Sequence, residues 1–242
     1  MKKVFNSISY ALYPVAGILL LAFLFAACKK DNTENSRTPS AGLMAFNLTV
    51  DKPAVSVTLS GNNFTSAPLT YTSYTGGYLS VFTGEREVKS LDANSAVTLA
   101  TSNQVFNDST YYSLFVVGNK GSYHNIIAND SLNSLVVTPG QAFVRYINAI
   151  PDSAISPLVT ILSNGTNIVS TNAAFGTVSG FKKVSAGNIV VGVTNGDNIA
   201  ANRTIAVEES KAYTILLTGM PGAVDTTKSV QVKFITNGTI TP

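Results

Sequence analysis

The sequence predicts an all-β protein made of two tandem copies of one sheet unit. Three observations predict it. Apolar and polar residues alternate along Val55-Ser56-Val57-Thr58-Leu59 and along Val230-Gln231-Val232-Lys233-Phe234, the pattern that sets one strand face on a core and the other in water. Turn sequences are dense, as at Gly61-Asn62-Asn63, Gly76-Gly77, Asn164-Gly165 and Asn195-Gly196-Asp197. Beyond residue 28 no stretch repeats apolar residues at a helical spacing. Short strands punctuated in this way argue for sandwiches or barrels.

The amino-terminal segment is different. Lys2 and Lys3 precede an apolar run, Val15–Ala27, and Cys28 follows. The run has the length of a signal-peptide core and falls short of the ~20 residues of a spanning helix. Small residues Ala26 and Ala27 stand directly before Cys28, the single cysteine of the chain. This order of charge, apolar run, small pair and cysteine resembles a bacterial lipobox. The resemblance implies removal of the signal peptide 1–27 and acylation of Cys28, with palmitate among the expected chains. The competing reading is an uncleaved anchor, because counting back to Tyr10 gives a run long enough to span when tilted. Either way the folded part lies outside the cytoplasm. Two or more acyl chains give stable anchoring where one does not.

Residues 28–40 are polar and read as a flexible tether. Lys29-Lys30-Asp31 directly after the cysteine resembles the surface-export tags of some Gram-negative lipoproteins. The expected location is therefore the envelope of a Gram-negative bacterium, lipid-anchored at the outer membrane, with the side left open.

The first copy is read over 41–138 and the second over 141–242, with the join at Thr138-Pro139-Gly140. Each opens on an apolar strand, Leu43–Val50 and Phe143–Ile150. Thr110–Gly118 aligns with Lys211–Gly219, so Tyr112 matches Tyr213 and Gly118 matches Gly219. Gly77–Gly84 aligns with Gly180–Gly187. The same features in the same order at nearly the same spacing indicate duplication. Gly84 and Gly187 are expected at turns of positive φ. Tyr112 and Tyr213 are expected as core-facing rings with hydroxyls at the rim.

The second copy also resembles a known family. Phe143-Val144-Arg145-Tyr146-Ile147-Asn148-Ala149-Ile150-Pro151-Asp152, Ala174-Phe175-Gly176-Thr177-Val178-Ser179 and Lys211-Ala212-Tyr213-Thr214 resemble strands and turns of the domain of unknown function 4397. The first copy is a divergent version that lacks the Pro-Asp step and the Phe-Gly-Thr turn. The resemblance implies two tandem immunoglobulin-like β-sandwich domains on an exported lipoprotein. It implies no activity.

Composition excludes several kinds of chemistry. One cysteine makes no intrachain disulfide and no Cys-Cys zinc site. Without Lys2 and Lys3 the basic and acidic residues nearly balance, so nothing draws the chain to nucleic acid. His124 is the single histidine, and no Gly-x-Ser-x-Gly elbow accompanies it. Glu85 and Glu87 share a strand face, but most other acids sit in turn sequences. Asn195-Gly196-Asp197-Asn198 offers too few oxygens for calcium and reads as a hairpin turn. The sequence thus predicts no catalytic residues, no metal and no cofactor. Asp108-Ser109-Thr110, Asp130-Ser131-Leu132, Asp152-Ser153-Ala154 and Asp225-Thr226-Thr227 resemble acceptors of bacterial O-glycosylation.

What remains is a non-enzymatic binding or adhesion module for protein or glycan. The alternatives are a structural component of an envelope complex and, further off, a carboxylate hydrolase. Tyr71, Tyr74 and Tyr78 are the candidate ligand platform, since exposed tyrosines stack on sugars or bind proteins. As ordinary cross-strand partners they would need no ligand at all.

Overall fold

The structure, a computed structural model, describes residues 37–151 and 155–241. The signal peptide, Cys28 and the tether up to residue 36 lie outside the described residues, as does Asp152. Residues 39–242 cluster as one compact unit.

The first copy supplies β1 (Ser40–Thr49), β2 (Ala54–Leu59), β3 (Asn62–Asn63), β4 (Leu69–Thr70), β5 (Leu79–Phe82), β6 (Gly84–Asp92), β7 (Thr98–Phe106), β8 (Tyr111–Asn119) and β9 (Ser122–Asn129). A 3₁₀ turn at Leu132–Ser134 leads to the second copy. That copy supplies β10 (Gln141–Asn148), β11 (Leu158–Ser163), β12 (Thr166–Asn172), β13 (Lys182–Ser185), β14 (Gly187–Thr194), β15 (Ala200–Val207), β16 (Lys211–Thr218) and β17 (Gln231–Thr239). The strands that alternation predicted are present as β2 and as the start of β17, which begins one residue after Val230.

Each copy forms two sheets. In the first they run β5-β1-β8-β9 and β3-β2-β6-β7, with β4 against β2; in the second they run β13-β10-β16-β17 and β12-β11-β14-β15. Omitting the two-residue β4 and lettering each copy in chain order gives D-A-G-H over C-B-E-F twice. The first strand pairs in parallel with the seventh in both copies, β1 with β8 and β10 with β16. The sandwich architecture follows the sequence reading. Its wiring differs from the ABED and CFG sheets of an immunoglobulin constant domain. Alternation reports which face is buried, not which strands are neighbours, so this order was not legible.

Local chemistry explains the turns. Asn164 and Gly165 both have positive φ, 50° and 74°, the conformation of a two-residue hairpin turn. They close β11 onto β12. Gly84 and Gly187 have φ of 97° and 119°. Gly118 and Gly219 are more constrained: a Cβ on either would lie 2.1 Å from a backbone oxygen, of Ser122 and Ser229 respectively. Tyr112 and Tyr213 are buried, and their hydroxyls accept from the amides of Asn107 and Glu208, each five residues upstream. The same bond in both copies confirms the alignment of the repeat.

Three cores result. Leu43, Val55, Val57, Val88, Leu114 and Val116 pack inside the first sandwich. Val144, Val159, Ile161, Val191, Ile215 and Leu217 pack inside the second. The third joins the copies: Met44, Phe46, Leu48, Phe115 and Val117 meet Ile147, Ala149, Leu216 and Ile235. Strands β1, β8, β10 and β16 are therefore covered on both faces. This accounts for the unbroken apolar runs Leu114–Val117 and Ile215–Leu217, since strands buried on both faces lose their alternation.

Candidate functional site

The seam between the sandwiches contains the only fully buried ion pair among the described residues. Arg145 in β10 and Asp130 after β9 are 2% and 1% exposed. Arg145 Nη1 meets Asp130 Oδ1 at 2.7 Å. Its Nη2 donates to Ser113 Oγ at 2.8 Å, and its Nε donates to Thr214 Oγ1 at 2.9 Å. Ser113 Oγ in turn donates to Asp130 Oδ2, and Thr214 Oγ1 donates to Asn237 Oδ1. The guanidinium lies 4.6 Å from the ring centre of Phe181. Burial of a charge is tolerated when it is paired and its donors are used, and here each partner is itself bonded.

The three candidate tyrosines are drawn into this seam. Tyr78 donates a short hydrogen bond to Asp130 Oδ2 and accepts one of 3.0 Å from Asn237 Nδ2. Burial and the nearby carboxylate push the Tyr78 phenol well above its usual pKa. Tyr71 shares a 2.9 Å bond with Thr218 Oγ1, and burial raises its pKa too. Tyr74 stacks on Phe46 with ring centres 5.4 Å apart. All three are half-buried, and their rings or hydroxyls meet other groups of the chain rather than forming an open platform. On an extended segment Tyr74 and Tyr78 would share one face and Tyr71 would take the other. Thr72 has φ 63° and the stretch turns instead, so period-two logic lapses there. The edge of Tyr78 does border a hollow of about 270 Å³ with Tyr111 and Asn133.

The other sequence candidates are occupied locally. His124 is exposed on β9, and its ring lies edge-on to Phe175, with centroids 6.5 Å apart. Glu87 pairs with Lys89 at 2.7 Å. Among the turn acids, Asp51 accepts from the Lys120 amide and the Tyr123 hydroxyl. Asn195 Oδ1 accepts from the amides of Asp197 and Ile199, closing its own turn. No group of three or more His, Cys, Asp or Glu side chains able to hold a metal occurs among the described residues. Ser109, Ser131 and Thr226 of the O-glycosylation sequences are exposed.

An open site lies elsewhere, where the two sheets of the first sandwich part. A groove of about 480 Å³ runs between the β2–β3 turn and edge strand β5. Leu59, Phe64, Leu79, Val81 and Phe82 supply its apolar wall, and Asn62, Asn63, Ser80 and Arg86 supply polar groups. Phe82 is 67% exposed and Leu79 is 39% exposed. Arg86 Nη2 donates to Thr83 O at 3.0 Å.

The second copy shows that the fold does not require this groove. Leu79 pairs with Leu43 as Lys182 pairs with Val144, and Phe82 pairs with Ser40 as Ser185 pairs with Gln141. Gly84 faces Phe106 as Gly187 faces Val207, which sets Arg86 against Ile189. Ile189 is fully buried in its core. One backbone plan thus carries Leu, Phe and Arg at a wet mouth in one copy and Lys, Ser and a core Ile in the other. Sequence reasoning missed the groove, although the aligned segments already showed Phe82 against Ser185. It also missed the ion pair, whose signal was a lone arginine inside the apolar strand Phe143–Ile150.

No curated protein matches the chain. Among solved structures, the family CBM26 carbohydrate-binding module of Eubacterium rectale Amy13K, in complex with maltoheptaose, is similar at 12% identity, covering 84% of this chain and 98% of that one, with a TM-score of 0.25. Two candidate cell adhesion proteins are also similar. That of Bacteroides eggerthii has 10% identity over 83% of this chain and 95% of its own, with a TM-score of 0.25. That of Bacteroides ovatus has 8% identity over 84% and 98%, with a TM-score of 0.24. Likenesses this slight carry no argument about a ligand. The family model is decisive: residues 41–155 and 142–239 each match the domain of unknown function DUF4397, the tandem arrangement the sequence suggested, and the chain belongs to that family.

Proposed function

We propose that this protein is a non-enzymatic binding module of the cell envelope, held by lipid at Cys28 and taking up its ligand at the groove of the first sandwich. The groove carries the reading. It is concave, partly apolar and edged by an exposed phenylalanine, and exposed apolar surface of this kind marks interaction sites. The duplicate copy has no such lining at the equivalent positions, so turn and core demands do not account for it. The outer membrane of a Gram-negative cell is the location this reading assigns, with a glycan or an envelope protein as ligand. The seam that joins the two sandwiches favours a second use, as a stiff spacer in an envelope complex.

Two measurements test the proposal. The Cys28→Ala protein is expected to lose palmitate labelling and membrane attachment; unchanged attachment would point to an uncleaved helix instead. Phe82→Ser is expected to weaken capture of envelope glycans or proteins by about tenfold, as for loss of one central aromatic contact. Its melting temperature should stay close to that of the parent, because the ring is exposed. Equal capture by both proteins would remove the groove from the function and leave the spacer.

A further inference from the structure

We infer that the open edge of β5 takes an extended peptide segment of a partner protein, which adds a strand to the sheet, sends apolar side chains into the groove at alternate positions and meets Arg86 with a carboxylate. The inference rests on the binding-module reading and names its ligand.

The backbone supplies the first argument. Gly42 donates its amide to Thr110 O on the β8 side, while the amides of Ala45 and Asn47 turn the other way, to Thr75 Oγ1 and Ser73 O. Successive residues of a strand address opposite edges, so Ala41 and Leu43 are the residues that bond to Val81 and Leu79 across the register. The N–H and C=O groups of Ser80 and Phe82 then point away from the sheet. An added strand uses such a row of groups.

The second copy supplies the contrast. Edge strands are commonly protected from pairing by charged side chains, lysine above all. Its edge strand β13 carries Lys182 and Lys183, and the amide of Ser185 is occupied by Ser163 Oγ at 3.2 Å. Strand β5 has Leu79 and Ser80 at the matching places. One edge is guarded and its duplicate is not.

Charge and shape specify the occupant. Arg86 is the single charged residue lining the groove, and a guanidinium there is matched by a carboxylate. Val81 points inward while Phe82 is exposed, so a strand lying alongside presents every second side chain to the same apolar wall. A glycan could stack on Phe82, but its hydroxyls do not recur at the strand spacing at which the N–H and C=O groups of the edge repeat.

The test pans the full chain, purified in detergent, against a displayed library of random decapeptides, in parallel with a Leu79→Lys/Ser80→Lys variant that copies the Lys182-Lys183 guard. Both substituted side chains are exposed, so the variant should melt with its parent. The expected result is enrichment of peptides with alternating apolar residues, an Asp or Glu, and no central proline. An enriched peptide should bind the guarded variant and Arg86→Gln each about tenfold more weakly. On the unaltered chain it should slow hydrogen exchange at the Ser80 and Phe82 amides. Equal binding to the guarded variant, unchanged exchange, or enrichment without alternation would each overturn the inference. If envelope oligosaccharides bind in a Phe82-dependent way and no peptide is enriched, the peptide is wrong and the binding module stands. If neither probe binds, both fall.

Discussion

Arg145→Met is expected to destabilise the protein by about 3–5 kcal/mol, the usual result of stripping one partner from a buried ion pair. Asp130→Asn should cost a similar amount, because the guanidinium would then be buried without a counter-charge. The combined variant should recover most of the loss and fall within about 1–2 kcal/mol of the parent, since apolar or neutral replacement of both partners removes the desolvation penalty together with the attraction. The choice of residues comes from the protein itself. Leu43 and Val144 pair with Tyr112 and Tyr213, so Met44 holds in the first copy the place that Arg145 holds in the second. Asn237 accepts from Thr214 as Asp130 accepts from Ser113. Each substitution therefore installs the residue that the duplicate already uses. Urea unfolding checks this, with the midpoint moving at constant slope. Losses that simply add in the double variant would show that the two charges do not depend on each other.

That cycle bears on how the two copies recognise each other. Two copies of the arginine-bearing half, paired through this face, would bury two guanidinium groups with no carboxylate between them. Two copies of the aspartate-bearing half would bury two carboxylates. Only the mixed pair sets the guanidinium against a carboxylate, so the asymmetry of the seam selects one half for the other.

Much of this was within reach of the sequence, and the limits are instructive. Val55–Leu59 and Val230–Phe234 declared their strands because one face of each is wet. Leu114–Val117 is buried on both faces, so its apolar run announced burial without saying what covered the second face. The alignment of Tyr112 with Tyr213 was legible because both hydroxyls meet the same local demand. Asp130 looked like one more turn aspartate, because its partner lies in the other copy and pairing between distant strands leaves no local trace. The groove was hidden differently. Phe82, Leu79 and Arg86 are ordinary strand residues, and only the meeting of the two sheets, β5 in one and β6 in the other, shows them lining one mouth.

The seam also predicts how the protein unfolds. Phe115→Ala should cost about 3–5 kcal/mol, the range for deleting a buried phenylalanine. In a domain of about this size that corresponds to a fall in melting temperature of roughly 6–20 °C. Phe115 is fully buried, stacks on Phe46 with ring centres 4.8 Å apart, and lies 5.8 Å beneath the Arg145 guanidinium. Its side chain belongs to the cluster shared by the copies rather than to the core of the first sandwich. The loss should therefore be felt by both. If either sandwich opened alone it would expose its half of the shared cluster and strand one member of the ion pair. The chain should accordingly melt in a single transition, with matching calorimetric and van't Hoff enthalpies, in the parent and in the variant alike. Tyrosine emission reports on both halves, as the chain has no tryptophan. Two resolved transitions, with only the first moved by the substitution, would show that the sandwiches stand independently and that the seam is a contact without coupling.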